Sequence, residues 1–172
     1  MTDPSCGVAH GAPADETTGR VLVVVFASPV AEVLLRWAPD LGFRAVLLDP
    51  DPARGAGAVD LADLTRHLGG TDLSDTDVVV TDHHRPELGE VLRDALARPV
   101  RWVGVMGNPR HEGPHVAALA ALGVPPEEVA RVHRPIGLDI GSRTPAEIAL
   151  STLAGLLADR NGRSGGFAHR PR

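Results

Sequence analysis

The stretch that most constrains the fold is an uninterrupted apolar run, Arg20-Val-Leu-Val-Val-Val-Phe26. A run of this kind without polar alternation is typical of a strand that is buried on both faces, as in a parallel sheet. Ser28 and Pro29 follow it and suit the N-cap and the first position of a helix. A second apolar run, Arg44-Ala-Val-Leu-Leu-Asp49, comes next. The sequence therefore predicts a strand–helix–strand unit with a right-handed crossover.

The same alternation of strands and helices continues along the chain. The further segments are predicted in the order strand 77–81, helix 86–97, strand 100–106, helix 116–122, a short helix from Pro125, strand 130–133 and helix 145–160. A weaker helical pattern covers residues 59–68. This alternation predicts an α/β fold of three layers, with a Rossmann-like, mostly parallel sheet and helices on both faces. We expect one domain over residues 20–162, with flexible segments at 1–19 and 163–172.

The composition excludes several classes of function. The 172 residues carry a net charge of −5 and show no basic stripe, so we expect no nucleic-acid partner. The single cysteine, Cys6, excludes an internal disulfide and a cysteine-rich metal site. No apolar run is long enough to span a bilayer and no signal peptide is seen, so we expect a cytoplasmic protein with no membrane partner. The chain has no tyrosine, which excludes dehydrogenase chemistry that uses a tyrosine acid.

The segment 133–150, which reads HRPIGLDIGSRTPAEIAL, is the most distinctive in the chain. Gly137 and Gly141 predict backbone that takes a positive φ or lies close to another group. Asp139 stands between two bulky apolar residues, and we expect it to be half-buried with a hydrogen-bond partner. That partner is either its own turn or a ligand. The segment then enters a helix through a capping box formed by Thr144 and Glu147.

Two parts of this segment, Pro135-Ile-Gly-Leu-Asp-Ile-Gly141 and Thr144-Pro-Ala-Glu-Ile-Ala149, resemble the C-terminal signature of the XdhC/CoxI family. These are accessory proteins of molybdenum hydroxylases such as xanthine dehydrogenase and carbon monoxide dehydrogenase. The resemblance covers roughly residues 20–160. It implies a Rossmann domain that helps to mature a hydroxylase by handling molybdenum cofactor or its nucleotide form. It favours a non-catalytic accessory protein over an enzyme.

Full-length members of that family carry an N-terminal CoxI-type domain, whereas this chain begins almost directly at the Rossmann strand. The resemblance therefore implies a separate CoxI-type partner or a direct contact with the hydroxylase, and a homodimer is an alternative. The expected ligand is molybdenum cofactor or a nucleotide, and no structural metal is expected. The first loop departs from the family's Gly-Ala-Gly-His-Val-Ala, because this chain has Phe26-Ala-Ser-Pro-Val-Ala31. The loss of both loop glycines weakens the expectation of NAD-type binding.

In a fold of this kind, ligands bind beyond the carboxyl ends of the strands. The candidate cofactor-binding residues are those of the five loops at predicted strand ends. They are Ala27, Ser28, Val30, Asp49, Asp82, His83, His84, Gly107, Asn108, Arg110, Gly137, Asp139 and Gly141. No catalytic residue and no metal ligand is assigned among them.

Several of these residues have alternative interpretations. Asp49 stands where a ribose-binding carboxylate would lie, but it also suits turn initiation before a proline. Asp82, His83 and His84 predict a polar loop that lines the site, and they resemble the metal-binding Asp-His-His motif of DHH phosphoesterases. Arg110 could contact an anion or be a solvated surface residue. An NAD(P)-binding oxidoreductase and a DHH-like, metal-dependent phosphoesterase therefore remain the alternatives to the accessory protein.

Overall fold

The computed structural model describes residues 20–51, 53–54, 73–107 and 113–166. Its five strands form one sheet in the order β2-β1-β3-β4-β5, and every neighbouring pair is parallel. The strands are β1 (Val21–Val25), β2 (Arg44–Leu48), β3 (Thr76–Val80), β4 (Trp102–Val105) and β5 (Val132–His133). The predicted α/β sheet with helices on both faces is confirmed.

Helices cover both faces of this sheet. They are α1 (Pro29–Trp37), α2 (Leu88–Leu96), α3 (Pro114–Ala121), α4 (Pro126–Val129) and α5 (Pro145–Arg160), with short 3₁₀ turns at Pro39–Leu41 and Leu73–Asp75. Helices α1 and α5 pack against each other, and α2 packs against α3. The predicted helix at 59–68, the arm at 1–19 and residues 167–172 of the tail lie outside the described residues.

The two central strands, β1 and β3, are buried along their whole lengths. Successive side chains of a strand point to opposite faces, so β1 supplies two separate apolar layers. Val21, Val23 and Val25 pack on the face of α2, whereas Leu22 and Val24 pack on the face of α1 and α5. Burial on both faces explains why these strands read as continuous apolar runs.

The strand order reverses between β1 and β3. The connection from β1 leads to β2 on one side, and the chain then returns to β3 on the other side of β1. In doubly wound sheets this reversal leaves a crevice at the carboxyl ends of the two strands, where ligands bind. The loop 26–28 after β1 and Thr81 after β3 therefore flank the expected ligand crevice.

A buried ionic network stands at the opposite end of the sheet. The side chain of Asp77 in β3 is fully buried, and it accepts hydrogen bonds from Arg101 at 2.6 Å and from Arg160 at 2.7 Å. Arg160 also binds Asp75, and Arg101 also binds Asp159 at 2.6 Å. Burial raises the pKa of Asp77, and the two arginines oppose this rise. The network fixes the last turn of α5 to the start of β3.

The predicted capping box at the start of α5 is confirmed. The Thr144 hydroxyl accepts from the Glu147 N–H, and the Glu147 carboxylate accepts from the Thr144 N–H at 3.1 Å. We expect Thr144→Ala to lower the free energy of unfolding by about 1 kcal/mol, because a helix N–H loses its acceptor. Thr144→Ser, the matched control, should keep most of that stability. Urea unfolding of both variants tests this, and equal stabilities for alanine and serine would contradict it.

Candidate functional site

The loop between β1 and α1 is tied to β3 by two hydroxyl groups. The Ser28 hydroxyl caps α1 by accepting from the Ala31 N–H at 3.0 Å, as predicted, and it donates to the Thr81 hydroxyl at 2.9 Å. The Thr81 hydroxyl in turn lies 2.8 Å from the carbonyl oxygen of Phe26. Ser28 is therefore occupied in holding the loop across the switch point.

The same loop is tied to β2 by Asp49. Its carboxylate accepts from the N–H of Ala27 at 2.9 Å and from the N–H of Asp51 at 3.0 Å. Arg85 donates to both carboxylate oxygens, at 3.3 and 3.4 Å, and also binds Glu87 at 3.0 Å. Asp49 is 3% exposed. The bond from the Asp51 N–H is the one that turn initiation by Asp49 would make. Both carboxylate oxygens of Asp49 are therefore already hydrogen-bonded within the protein.

Phe26 takes the place of the first loop glycine and has a φ of 69°, in the left-handed region that favours glycine. Its ring is fully buried in the core on the face of α2. The guanidinium of Arg85 lies 4.7 Å from the ring centroid and covers it. The ring therefore anchors the loop in the core beneath Arg85.

These contacts remove hydrogen-bond donors from the phosphate cradle of a dinucleotide site. The N–H groups of Phe26, Ala27 and Ala31 are bonded to Leu48, Asp49 and Ser28. Pro29 has no N–H to give. The N-terminal end of α1 still offers positive potential, but the loop that leads to it is closed by the protein's own groups.

The ion pair between Asp49 and Arg85 predicts a pH-dependent stability. Burial acts to raise the pKa of Asp49, but the N–H groups of Ala27 and Asp51 and the charge of Arg85 outweigh it, so the pKa lies below its ordinary value. A depressed acid pKa stabilises the fold above the unfolded pKa of about 3.9, and this stability is lost as the pH falls through the folded value.

We therefore expect Asp49→Asn to cost about 1.5–3 kcal/mol at pH 7, as for a buried hydrogen bond to a charged group. The difference from the parent protein should shrink below about pH 4. Urea unfolding at several pH values measures this. Glu87→Gln removes the more exposed partner of Arg85 and should cost no more than about 1 kcal/mol. If Asp49→Asn lowers the free energy of unfolding by the same amount at every pH, the account is contradicted.

Asp82, His83 and His84 form a compact turn after β3. The N–H of His84 donates to the Asp82 carboxylate at 2.9 Å, and the two imidazole rings lie 4.1 Å apart. Burial lowers the pKa of His83, and the charges of His84 and Arg134 lower it further. Asp82 and a hydrogen bond with the backbone of Met106 act in the opposite direction. His83 therefore connects the end of β3 to the end of β4.

Arg134, which follows β5, lies against the end of β4. A Cβ atom added to Gly107 would come within 2.6 Å of the Arg134 Nε atom, so only glycine leaves room for the guanidinium. A Cβ atom on Gly113 would overlap the ring of His115 and lie 3.1 Å from Cδ of Arg134. His115 is 6% exposed, and burial followed by the charge of Arg134 lowers its pKa. Gly107, Gly113, Arg134 and His115 thus form one cluster.

The loop 135–142 is placed differently from what we expected. Gly137 and Gly141 have φ values of 88° and 68°, so their predicted positive φ is confirmed. Gly137 packs against Ser151 and Gly155 of α5. Asp139 is exposed, so the expectation that it is half-buried is wrong. The apolar residues beside Asp139 belong to a turn and not to a strand, so its neighbours do not enclose it.

The family model for the XdhC Rossmann domain matches residues 22–156, which is most of the described sheet and its helices. The chain belongs to the XdhC Rossmann domain family. The resemblance that the segment 133–150 indicated is thereby confirmed.

Two relatives are similar to this XdhC domain. The uncharacterized protein YqeB of Escherichia coli (strain K12) is 37% identical over 82 residues, which are 48% of this chain and 15% of YqeB. The crystal structure of a xanthine dehydrogenase from Bacillus halodurans has a TM-score of 0.63 and 25% identity, over 88% of this chain and 45% of that one. The chain thus spans less than half the length of either relative.

The structure joins some of the predicted site residues and leaves others apart. Ala27, Ser28 and Asp49 meet across the switch point, and Val30 lies in the first turn of α1. Gly107 lies against Arg134, whose charge acts on His83. Gly137 lies against α5. Asn108 and Arg110 lie outside the described residues.

Three residues of the site were not predicted, namely Arg85, Arg134 and His115. Arg85 and Asp49 are 36 positions apart, so no local pattern pairs them. His115 stands alone in the sequence at the start of a helix. The signal that could have indicated this cluster is the pair Gly107 and Gly113, which lie between β4 and α3. A glycine has no side chain, so another side chain can approach its backbone closely.

Two further properties concern only the part of the chain that the structure describes. There, no three histidine, cysteine, aspartate or glutamate side chains stand close enough to hold a metal ion. None of the helices found there combines the length and the apolar character needed to cross a bilayer.

Proposed function

We propose that this XdhC domain is an accessory protein in the maturation of a molybdenum hydroxylase of the xanthine or carbon monoxide dehydrogenase type. In this proposal it binds molybdenum cofactor, or the cofactor's nucleotide form, in the crevice at the carboxyl ends of the strands. The observation that carries the proposal is membership of the XdhC Rossmann domain family across residues 22–156. The switch point of the sheet gives the expected place for the ligand.

The charges around the crevice support an anionic ligand. Arg134 and His83 stand at the ends of β5 and β3, and Arg134 lies close enough to lower the pKa of His83. Molybdenum cofactor carries a phosphate group, and arginine binds phosphate through paired N–H donors. The positive charge of Arg134 therefore lies toward β5, away from the closed loop at β1.

The two enzyme alternatives receive less support from the same geometry. A nicotinamide dinucleotide would need the loop N–H donors and the Asp49 carboxylate. The donors are bonded to Leu48, Asp49 and Ser28, and the carboxylate is paired with Arg85. A DHH-like phosphoesterase would need a metal, but Asp82 accepts from the adjacent His84 N–H, and Asp49 is buried against Arg85. The accessory role demands neither of these sites.

The partner in this proposal is a molybdenum hydroxylase or a polypeptide that carries a CoxI-type domain. The solved relative is more than twice as long as the part that aligns with this chain, which supports a second unit beside the Rossmann domain. A homodimer is the alternative assembly. Light scattering of the purified protein, alone and with the hydroxylase, distinguishes these assemblies.

A maturation assay tests the proposed function. Hydroxylase produced without its cofactor is mixed with limiting molybdenum cofactor, with and without this protein, and the recovered hydroxylase activity is followed. We expect the protein to raise the rate or the yield of activation, and to show no hydroxylase activity alone. Equal activation with and without the protein, for every hydroxylase tested, would contradict the accessory role. The protein preheated until it unfolds serves as the control.

A further inference from the structure

We propose that the edge of the sheet beside α5 holds a binding site for a planar nitrogen heterocycle that carries N–H donors next to a keto acceptor. Guanine bases and pterins have an edge of this kind. The site is a cavity of about 240 Å³ between Trp102, His133 and the middle and end of α5. It lies on the α5 face of the sheet, apart from the crevice between β1 and β3. The proposal therefore goes beyond the accessory role and does not rest on it.

The first support is the way in which the helices cover the sheet. Strand β5 has two residues and pairs with Val103 and Gly104 of β4. Helix α5 packs against α1, which in turn packs on β1 and β2. This draws α5 toward the centre of the sheet and leaves a space beside β4 and β5. The loop 135–138 and Leu156 of α5 line that space.

The second support is an aromatic surface inside the cavity. The indole of Trp102 lies against the backbone of Gly104, where an added Cβ atom would overlap the ring. The ring of His133 stacks on the indole, with the centroids 5.0 Å apart and the planes inclined by 13°. Trp102 is half-buried and His133 is exposed. Proteins that bind heterocyclic bases commonly stack them on aromatic side chains of this kind.

The third support is the size of the space. Pockets that enclose drug-sized ligands have about 300–1,000 Å³, whereas this cavity has about 240 Å³. It therefore suits one ring system and not a whole dinucleotide. Ile136, Leu138 and Leu156 add aliphatic walls to the two aromatic rings. A second cavity of about 150 Å³ shares both rings, so a substituent on the heterocycle has room beside them.

The fourth support is a pair of opposite charges, Asp159 and Arg163, which both line the cavity and are both exposed. Asp159 accepts from Arg101 through Oδ2 at 2.6 Å. A carboxylate offers about four lone-pair sites, so Asp159 can accept further N–H groups. Within residues 20–51, 53–54, 73–107 and 113–166, no acidic side chain is paired with Arg163.

This pair of charges selects among planar ligands. A neutral ring with both donors and an acceptor can bind the carboxylate of Asp159 and the guanidinium of Arg163 together. A ligand of one charge only would be repelled by one of the two groups. The cavity therefore favours a heterocycle with an amino, N–H and keto edge over an aromatic anion or cation.

Nuclear magnetic resonance tests the site on the whole chain. The chain has two tryptophans, and Trp37→Phe assigns their indole N–H resonances. Isocytosine, which carries the amino, N–H and keto groups on one ring, is titrated in at constant pH. We expect a saturable shift for Trp102 and none for Trp37. Guanosine and pterin in parallel arms distinguish a nucleobase from a pterin. The absence of a saturable Trp102 shift with all three compounds would overturn the proposal.

A matched compound tests the ligand class. 4-Pyrimidinone has the same ring and keto group as isocytosine but lacks the amino group. We expect it to bind about fivefold more weakly, because one hydrogen bond to the Asp159 carboxylate is lost. Equal affinities for the two compounds would overturn the assignment of the donor and acceptor edge.

Variants assign the binding to the cavity. Ala158, which lines the cavity and is half-buried, is replaced with phenylalanine so that the new ring fills the space, and isocytosine binding should be lost. Arg163→Gln should weaken binding about fivefold or more, since it removes a charged donor. Arg93→Gln, on α2 at the opposite face of the sheet, should leave it unchanged. Unchanged affinity in both Ala158→Phe and Arg163→Gln would overturn the site.

Discussion

Replacing Arg160 with methionine is expected to lower the free energy of unfolding by about 3–5 kcal/mol, which is the usual cost of removing one partner from a buried ion pair. The guanidinium of Arg160 donates to the fully buried Asp77 at 2.7 Å and to the backbone oxygen of Asp75 at 2.7 Å. It also covers the ring of Phe43, 5.3 Å from its centroid. Its loss would leave Asp77 with Arg101 alone. Urea unfolding at pH 7 measures the difference.

The sign of the pH dependence follows from Asp77. Burial already raises its pKa, and Arg160→Met should raise it further. A raised acid pKa means that stability is fully present below the unfolded value of about 3.9 and is lost as the pH rises through the folded value. The difference between Arg160→Met and the parent protein should therefore be largest at neutral pH and smaller in acid.

Two further variants test whether the lost stability comes from the uncompensated charge of Asp77. Adding Asp77→Asn to Arg160→Met removes the uncompensated charge, so the double variant should be more stable than Arg160→Met alone. Arg93→Met breaks an exposed ion pair with Asp94 and should cost no more than about 1 kcal/mol. A double variant that is less stable than Arg160→Met alone would contradict the account of the network.

Phe26→Ala is expected to cost about 3–5 kcal/mol, because it removes a fully buried aromatic ring from the core. Phe26→Gly removes the same ring, yet it should be more stable than Phe26→Ala by about 1 kcal/mol. The reason is the φ of 69° at this position, which is unfavourable for alanine and readily adopted by glycine. Urea unfolding of the two variants measures the difference.

The matched control is Ala120→Gly on the exposed face of α3. In an ordinary helix, glycine is less stable than alanine by about 1 kcal/mol. The alanine variant should therefore be more stable than the glycine variant at position 120, and less stable than it at position 26. If alanine is the more stable residue at both positions, the left-handed backbone at Phe26 is contradicted.

The fold could be predicted because its strongest signals are local. Burial of β1 and β3 on both faces leaves uninterrupted apolar runs, and the helix starts carry proline and capping residues that can be recognised directly. Strand β5 covers Val132–His133, whereas the sequence predicted a strand over 130–133. The burial of Asp139 was predicted wrongly because the backbone turns here and the neighbouring Ile140 is itself exposed.

The site was predictable only in part, because its contacts join distant positions. The end of each strand indicated which loops could converge, and this made His83 and Gly107 candidate residues. The closing of the first loop depends on Arg85, which binds Asp49 just after the end of β2. The cluster around Arg134 depends on its guanidinium lying over Gly107. Such pairs are set by the packing of the sheet and not by spacing along the chain.

Thermal unfolding in the presence of ligands tests the central claim most directly. Molybdenum cofactor, a cytidine nucleotide, NAD, NADP and manganese are compared at matched concentrations. A ligand at a hundred times its dissociation constant stabilises the folded state by about 2.7 kcal/mol. The account predicts that molybdenum cofactor stabilises the parent protein, whereas NAD, NADP and manganese do not. Stabilisation by NAD or manganese, with none by molybdenum cofactor or the cytidine nucleotide, would contradict it.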